Sequence, residues 1–262
     1  MSKNPPAGSQ TVDRALQLLE CFTEERPEIS LTSFSKITGF TMPTTHRLLK
    51  ALQAREYIVY DGNTRLYSLG PGSMRLASLI IHRDDINAVV LPWLERLRRL
   101  TGETVAMHWL VDRYRVCILE LESRHLIKMA SGVGRRYPLY AGAAGRVILS
   151  FLPDDEINEI LKSAAEDGLG PIVDGSLDEF MDRVEVVREV RVARSKSEVV
   201  EGASAVAVPI LNASNRPIAA LNITGPASRF DAAHQTEAVE LALEAVADIE
   251  ARLGYTTSSH RP

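Results

Sequence analysis

Disulfide chemistry has almost no material in this chain, where Cys21 and Cys117 are the only cysteines among 262 residues. Two thiols make no disulfide scaffold, and these have no metal-ligand spacing, so the chain reads as one for a reducing compartment with both thiols buried. Long apolar runs are also missing. No stretch approaches the roughly 20 residues needed to cross a bilayer, and the N-terminus has no apolar signal core, which predicts a soluble cytoplasmic protein. Six histidines occur, His46, His82, His108, His125, His234 and His260, without metal-ligand spacing, and there is no GxSxG nucleophile motif. Asp84 with Asp85, and Asp154 with Asp155, stand at expected helix starts, where acidic side chains suit the helix dipole better than paired catalysis. Gly132-Val133-Gly134 lacks the rest of a phosphate loop. An enzyme is therefore disfavoured, and neither metal nor cofactor is expected. A general excess of positive charge is absent too, since the net charge is −4.

That charge is unevenly spread. Across 36–75 the six basic residues Lys36, Arg47, Lys50, Arg55, Arg65 and Arg75 face only Glu56 and Asp61, a local charge of +4. Such a footprint on an acidic chain permits phosphate contact without indiscriminate sticking. Within it, 31–55 reads as two short helices and a tight turn. Leu31, Phe34 and Ile37 mark the packing side of the first, with Ser30 or Thr32 as its cap and Gly39 as its end. Thr41 caps the second, with Pro43 in its first turn. Thr45, Leu48, Leu49 and Leu52 form its packing stripe, whereas Pro43, His46, Arg47 and Lys50 lie about 200° around the helix and face outward.

Donors near the start of an exposed helix suit base edges in a major groove. The runs 57–60 and 66–69 flank Asp61-Gly62-Asn63-Thr64 as a hairpin, which makes a wing with Arg65 beside its turn. The DNA-contact set is Thr44, Thr45, His46, Arg47, Lys50 and Arg65, with Thr45 counted in the packing stripe as well. The plain alternative is a helical hairpin with a solvated charged face.

Ahead of this stretch, Val12, Ala15, Leu16, Leu18, Leu19 and Phe22 predict a first helix ending at Arg26-Pro27-Glu28. Beyond it, 74–83 reads as a helix with more apolar surface than one face needs, and 88–100 as an amphipathic helix. Strands are expected at 104–111 and 115–121, with another at 126–131. Tyr140-Ala141-Gly142-Ala143-Ala144-Gly145 leads into a helix at 146–152 whose open N–H groups suit either an acceptor or close packing. Surface helices follow at 153–161 and 176–190, then strands at 203–211 and 218–224 and a closing helix at 232–253. This is an α+β sheet domain with helices packed on one side. Ser204, Asn222 and Thr224 stand out on apolar strands as ligand partners or as solvent-facing groups; Asn222, Thr224 and Ala220 share a face. Met107 and Trp109 are placed at the pocket by strand position alone.

The stretch ISLTSFSKITGFTMPTTHRLLKALQAREYIVYDGNTRLYSLGPG resembles the winged-helix half of the IclR family. TGETVAMHWLVDRYRVCILELES, GRRYPLYAGAAGRVILSFL, VVEGASAVAVPI and PIAALNITGPASRF are similar to successive motifs of its effector-binding half, so the likeness runs over about residues 10–253. It implies a winged helix-turn-helix at 11–72, a linker helix at 73–86 and a GAF-like α+β effector-binding domain at 87–254, between disordered tails that composition predicts at 1–10, where Pro5-Pro6-Ala7-Gly8-Ser9 can bury nothing, and at 255–262. For the effector pocket it implies backbone N–H groups at Gly142 and Ala143, with Ser195, Ala205, Asn222 and Thr224. Some relatives carry an acidic residue, a cysteine and serines at those last four positions, so the ligand need not be one of their small keto acids.

The function implied is a ligand-responsive transcriptional regulator, repressor or activator, of a catabolic or metabolic operon. It would bind a pseudo-palindromic operator as a dimer or dimer of dimers and answer to a small organic or aromatic acid. The alternatives are a DNA-binding dimerisation scaffold without a ligand and an enzyme acting on a small acid.

Overall fold

The computed structural model describes residues 10–23, 25–81, 84–166 and 177–254. Of the tails expected at 1–10 and 255–262, residues 1–9 and 255–262, together with His82 and His260, lie outside the described residues, whereas Gln10 belongs to the first helix. The chain divides into two units between 83 and 84.

The N-terminal unit runs α1 (Gln10–Glu20), β1 (Glu28–Ser30), α2 (Leu31–Thr38), α3 (Met42–Ala54), β2 (Ile58–Asp61), β3 (Leu66–Leu69) and α4 (Pro71–Ile81). The first helix stops at Glu20, short of the expected Arg26, because the amides of Cys21 and Phe22 turn back onto the carbonyls of Leu18 and Leu19. Ser30 caps α2 by accepting the Ser33 amide, and Gly39 closes it at φ 73°. Thr41 has the N-cap conformation for α3, but its hydroxyl donates to that of Thr44 at 3.0 Å instead of capping.

Phe34, Leu48 and Leu49 meet Leu18, Ile29, Ile58 and Tyr67 in one buried core. Ile37 is exposed instead, because each three-residue step falls about 60° short of a full turn and carries the row off the core side. β1 is an addition to the expected hairpin. It pairs antiparallel with β3, so the wing is a three-stranded sheet in the order β1-β3-β2. A Cβ on Gly70 or Gly72 would fall 2.4 or 2.8 Å from the Glu56 carbonyl oxygen, so glycine is what lets α4 start against the wing. That helix begins at Pro71 and ends at Ile81, and 84–86 already belong to the next one.

The C-terminal unit runs α5 (Asp84–Thr101), β4 (Thr104–Val111), β5 (Tyr114–Leu121), β6 (Arg136–Pro138), α6 (Gly142–Ser150), α7 (Asp154–Glu166), α8 (Leu177–Val190), β7 (Ala193–Lys196), β8 (Ala203–Leu211), β9 (Pro217–Pro226) and α9 (Ala232–Arg252). Its strands form one antiparallel sheet in the order β6-β5-β4-β9-β8-β7. Helices cover both faces, not one. Val206, Val208, Ile210, Leu221 and Ile223 pack with residues of α5 and α9, whereas the small Ala193, Ala205, Ala207 and Ala220 pack with α6 and α8. Strands buried on both sides read as continuous apolar runs, which hides the second face from a sequence pattern. Small side chains let α6 lie close, and a Cβ on Gly145 would sit 2.5 Å from the Leu139 carbonyl oxygen.

The strand expected at 126–131 does not form; Leu126 and Ile127 are exposed there. Asp154 does open α7, and it accepts from Arg188 at 2.7 Å.

Candidate nucleic-acid interface and ligand pocket

On α3 the outward set is well separated from the packing set. His46, Arg47 and Lys50 are exposed, Thr44 is half-buried, and Leu48 and Leu49 are buried. Among the described residues none of His46, Arg47, Lys50 and Arg65 forms an ion pair, so these donors are free for a partner. Thr45 has to be removed from the DNA-contact set. It is fully buried, and its hydroxyl donates to the Thr41 carbonyl at 3.1 Å. Of its two sequence assignments only the packing one agrees with this position. Arg65 is exposed at the wing turn with φ 58°, next to an Asp61 carboxylate that accepts the Asn63 amide and is held below its usual range by it.

The second constellation lies between the sheet and α6. Gly142, Ala143, Ser195, Ala205, Asn222 and Thr224 all line one cavity of about 60 Å³. Register explains the convergence. Ser195 pairs with Ala205, Ala205 with Thr224, and Ala207 with Asn222, so these residues share the α6 side. Asn222 and Thr224 are buried, which settles them against solvent-facing positions. Ser204 is one residue out of phase, and what it gives Thr224 is its carbonyl, which accepts the Thr224 hydroxyl at 3.2 Å.

Met107 and Trp109 do not belong to this cavity. They pair with Leu221 and Ala219 and pack on the α5 and α9 side. Ala106 and His108, opposite Asn222 and Ala220, hold the pocket side instead. A bulge at Ile118 then puts Arg115, Cys117 and Glu120 on that same side, opposite Leu110, His108 and Ala106.

Arg115 reaches the cavity wall, only 5 % exposed. Its Nη1 lies 3.0 Å from His108 Nδ1, and its guanidinium carbon is 4.4 Å from the centre of the Tyr137 ring. Burial brings its pKa down to about 10, and burial first, then the Arg115 charge, holds His108 well below its ordinary value. The imidazole is therefore neutral near pH 7. Arginine can only donate, so hydrogen-bond logic assigns Nδ1 as acceptor and the proton to Nε2. Burial also pushes the Cys117 thiol up to about 12, which makes it an inert core group.

The start of α6 completes the site. The first amides of a helix have no intrahelical acceptor, and the N-cap here, Ala141, supplies no side-chain one. The Glu198 carboxylate takes one of them, accepting from the Gly142 amide at 3.2 Å and from Arg146 Nη2 at 2.5 Å. Gly142 itself has φ 70°, and a Cβ there would meet Val199 Cγ2 at 2.9 Å.

Family comparison decides what this pair of constellations belongs to. Residues 11–62 match the IclR helix-turn-helix domain, and 78–251 match the description "Bacterial transcriptional regulator IclR C-terminal". The chain belongs to the IclR family. Among IclR-family relatives, the HTH-type transcriptional regulator XynR of Escherichia coli is 32 % identical over 246 residues, covering 94 % of this chain and 98 % of XynR. The crystal structure of an IclR transcriptional regulator from Alicyclobacillus acidocaldarius superposes with a TM-score of 0.79 at 26 % identity, covering 92 % of this chain and 98 % of that one. An IclR homolog from Microbacterium hydrocarbonoxydans, complexed with 4-hydroxybenzoate, shares the fold with a TM-score of 0.76 at 19 % identity, over 93 % and 99 % of the two chains.

This IclR-family protein is thus a DNA-binding transcriptional regulator and not an enzyme, with an N-terminal helix-turn-helix and a C-terminal α+β domain. Among the described residues no helix is long and apolar enough to cross a membrane, and no group of His, Cys, Asp and Glu could hold a metal. Sequence reading missed Arg115, His108, Tyr137 and Glu198. The traces were His108, a polar side chain within the apolar run 104–111, and Arg115, a charge at the start of the run 115–121.

Proposed function

We infer that this protein is a ligand-responsive cytoplasmic regulator that reads a pseudo-palindromic operator as a dimer or dimer of dimers, with an affinity set by a small organic acid in its C-terminal pocket. The observation that carries this is the meeting of Gly142, Ala143, Ser195, Ala205, Asn222 and Thr224 around one cavity. Apolar walls with a few convergent polar groups are how proteins orient small ligands. The 4-hydroxybenzoate held by the Microbacterium homolog, itself an organic acid, supports the same class.

On the DNA side, Thr44, His46 and Arg47 are assigned to base edges and Lys50 and Arg65 to phosphates. Met74, Leu76 and Leu79 on α4 are 73, 51 and 70 % exposed, a surface suited to a second copy. Two-fold pairing would place two recognition helices on half-sites about one helical turn, or a multiple of it, apart. An effector that prefers one arrangement over the other by about 1–3 kcal/mol is enough to switch binding.

The test is fluorescence anisotropy on the duplex upstream of the protein's own gene and on a scrambled duplex, at two salt concentrations, followed by titration of organic acids into the complex. A preference for the native duplex that an acid relieves or strengthens is expected. Equal, steeply salt-dependent binding to both would leave only phosphate contact at that duplex. Specific binding that no acid changes would favour a ligand-free scaffold.

A further inference from the structure

Three arginines meet at the end of α5 with no ion pair or side-chain hydrogen bond among the described residues. Arg98 and Arg99 stand in the last turn of that helix, and Arg124 and His125 come from the loop after β5. With Glu95 and Gly102 they line a cleft of about 330 Å³. Neighbouring cations are neutralised. Arg96 bonds Glu244 at 3.0 Å, Lys128 pairs with Glu122, and Arg229 grips Glu103. Glu95 is the one acid lining the cleft, so three arginines less one glutamate leave a fixed charge of +2 there. His125 contributes at least one further N–H donor.

The cleft is built before any ligand arrives. Ser123, 3 % exposed, donates its hydroxyl to the Gly102 carbonyl at 2.6 Å and accepts the His125 amide at 3.2 Å, while its own amide bonds Thr104 Oγ1 at 2.9 Å. Gly102 lets the helix end against this loop, with φ 74° and His125 Nε2 only 3.4 Å from where a Cβ would lie. Cations in a last helical turn suit the helix dipole, which accounts for Arg98 and Arg99. It accounts neither for Arg124 nor for the buried serine that fixes the loop carrying it. Like charges gathered without a counter-charge repel, and the fork of a guanidinium matches phosphate oxygens.

We propose that this cleft is a second ligand site, for a di- or triphosphate group carried by a nucleotide or by inorganic polyphosphate. Successive negative charges suit three guanidiniums around one small space. The paired cations on either side confine the free charge to the cleft, which fits a compact anion better than the long backbone of a duplex. No residue of this lining belongs to the cavity between the sheet and α6, so the assignment stands whether or not that cavity holds the effector.

Isothermal titration calorimetry of the full chain with sodium tripolyphosphate, pyrophosphate, orthophosphate and ATP tests it. One tripolyphosphate per chain is expected, at least about tenfold tighter than orthophosphate. Arg99→Gln and Arg124→Gln should each weaken it about tenfold, whereas Glu95→Gln should tighten it several-fold. The recognition helix is the competing phosphate site, so Lys50→Ala is the control and should leave tripolyphosphate binding unchanged. ATP binding tighter than tripolyphosphate would assign a nucleotide; ATP no tighter would assign the phosphate chain alone. Tripolyphosphate no tighter than orthophosphate, full affinity in the Arg99→Gln, Arg124→Gln double variant, or a loss confined to Lys50→Ala would each overturn the site. A scrambled duplex that binds less well to that double variant, with no tripolyphosphate bound by wild type, would give the cleft to DNA instead.

Discussion

Arg115 and His108 meet Nη1 to Nδ1 at 3.0 Å, a bond that holds only while the imidazole is neutral. Folded His108 stays unprotonated well below its ordinary value of 6.5, whereas the unfolded chain's histidine takes up a proton there. The unfolded state then binds more protons, so stability falls as pH drops below 6.5, by up to about 1.4 kcal/mol per pH unit. Cys117 and Tyr137, which face the ring, are pushed upward by burial and stay neutral across this window. Asp61 and Asp231, whose carboxylates are held down by backbone amides, lose their contributions only at pH below 3.8. Urea unfolding between pH 7.5 and 5 should therefore show a slope that His108→Gln flattens; an unchanged slope would place the acid sensitivity elsewhere.

Arg229 grips Glu103 through Nε and Nη2, at 2.5 and 2.9 Å, tying the start of β4 to the loop before α9. The carboxylate is almost wholly buried and the arginine about a third exposed, so solvent screens part of the pair. Glu103→Gln is expected to cost about 1–2 kcal/mol. The readout is a lower urea midpoint at unchanged slope. A midpoint equal to wild type would mean that the pair adds nothing net.

Arg47→Ala should lower specific operator affinity by about 1–3 kcal/mol and relax discrimination at the base it reads, while sensor ligand binding stays as it was. Lys50→Ala and Arg65→Ala should instead weaken all duplexes alike, each reducing the salt slope by about one. Anisotropy at several salt concentrations separates the two patterns. An Arg47→Ala protein with native affinity and specificity would take Arg47 out of the interface.

Thr45→Val keeps the side-chain shape and removes only the hydroxyl bonded to the Thr41 carbonyl. A loss of about 0.5–1.5 kcal/mol in stability is expected, with operator discrimination preserved in the folded protein. A change in base preference at native stability would return Thr45 to the DNA-reading set.

What sequence could show was local. Ser30 and Gly39 at the ends of α2, and Leu48 and Leu49 inside α3, follow from chemistry within one or two turns of chain. The six pocket positions came from likeness to the family, and alternation alone tied only Asn222 to Thr224. Alternation also misplaced Met107 and Trp109. With both faces of β4 buried, the pattern has no sign, and only pairing with β9 shows that His108 and not Met107 faces the cavity. Arg115 joins Glu120 on that face only because of the bulge at Ile118. Glu198 is 56 residues from the amide it caps, a distance no local pattern spans.

The sheet of the C-terminal unit ends on one side in the three residues of β6 and on the other in the four of β7. Pro138 offers no amide at the first edge, and Arg136, Arg194 and Lys196 add charge to the two margins. Edges this short, charged and donor-poor are poor templates for a further strand. A second copy of this chain would find no long, open strand at either margin to extend, so the domain carries its own protection against edge-to-edge aggregation.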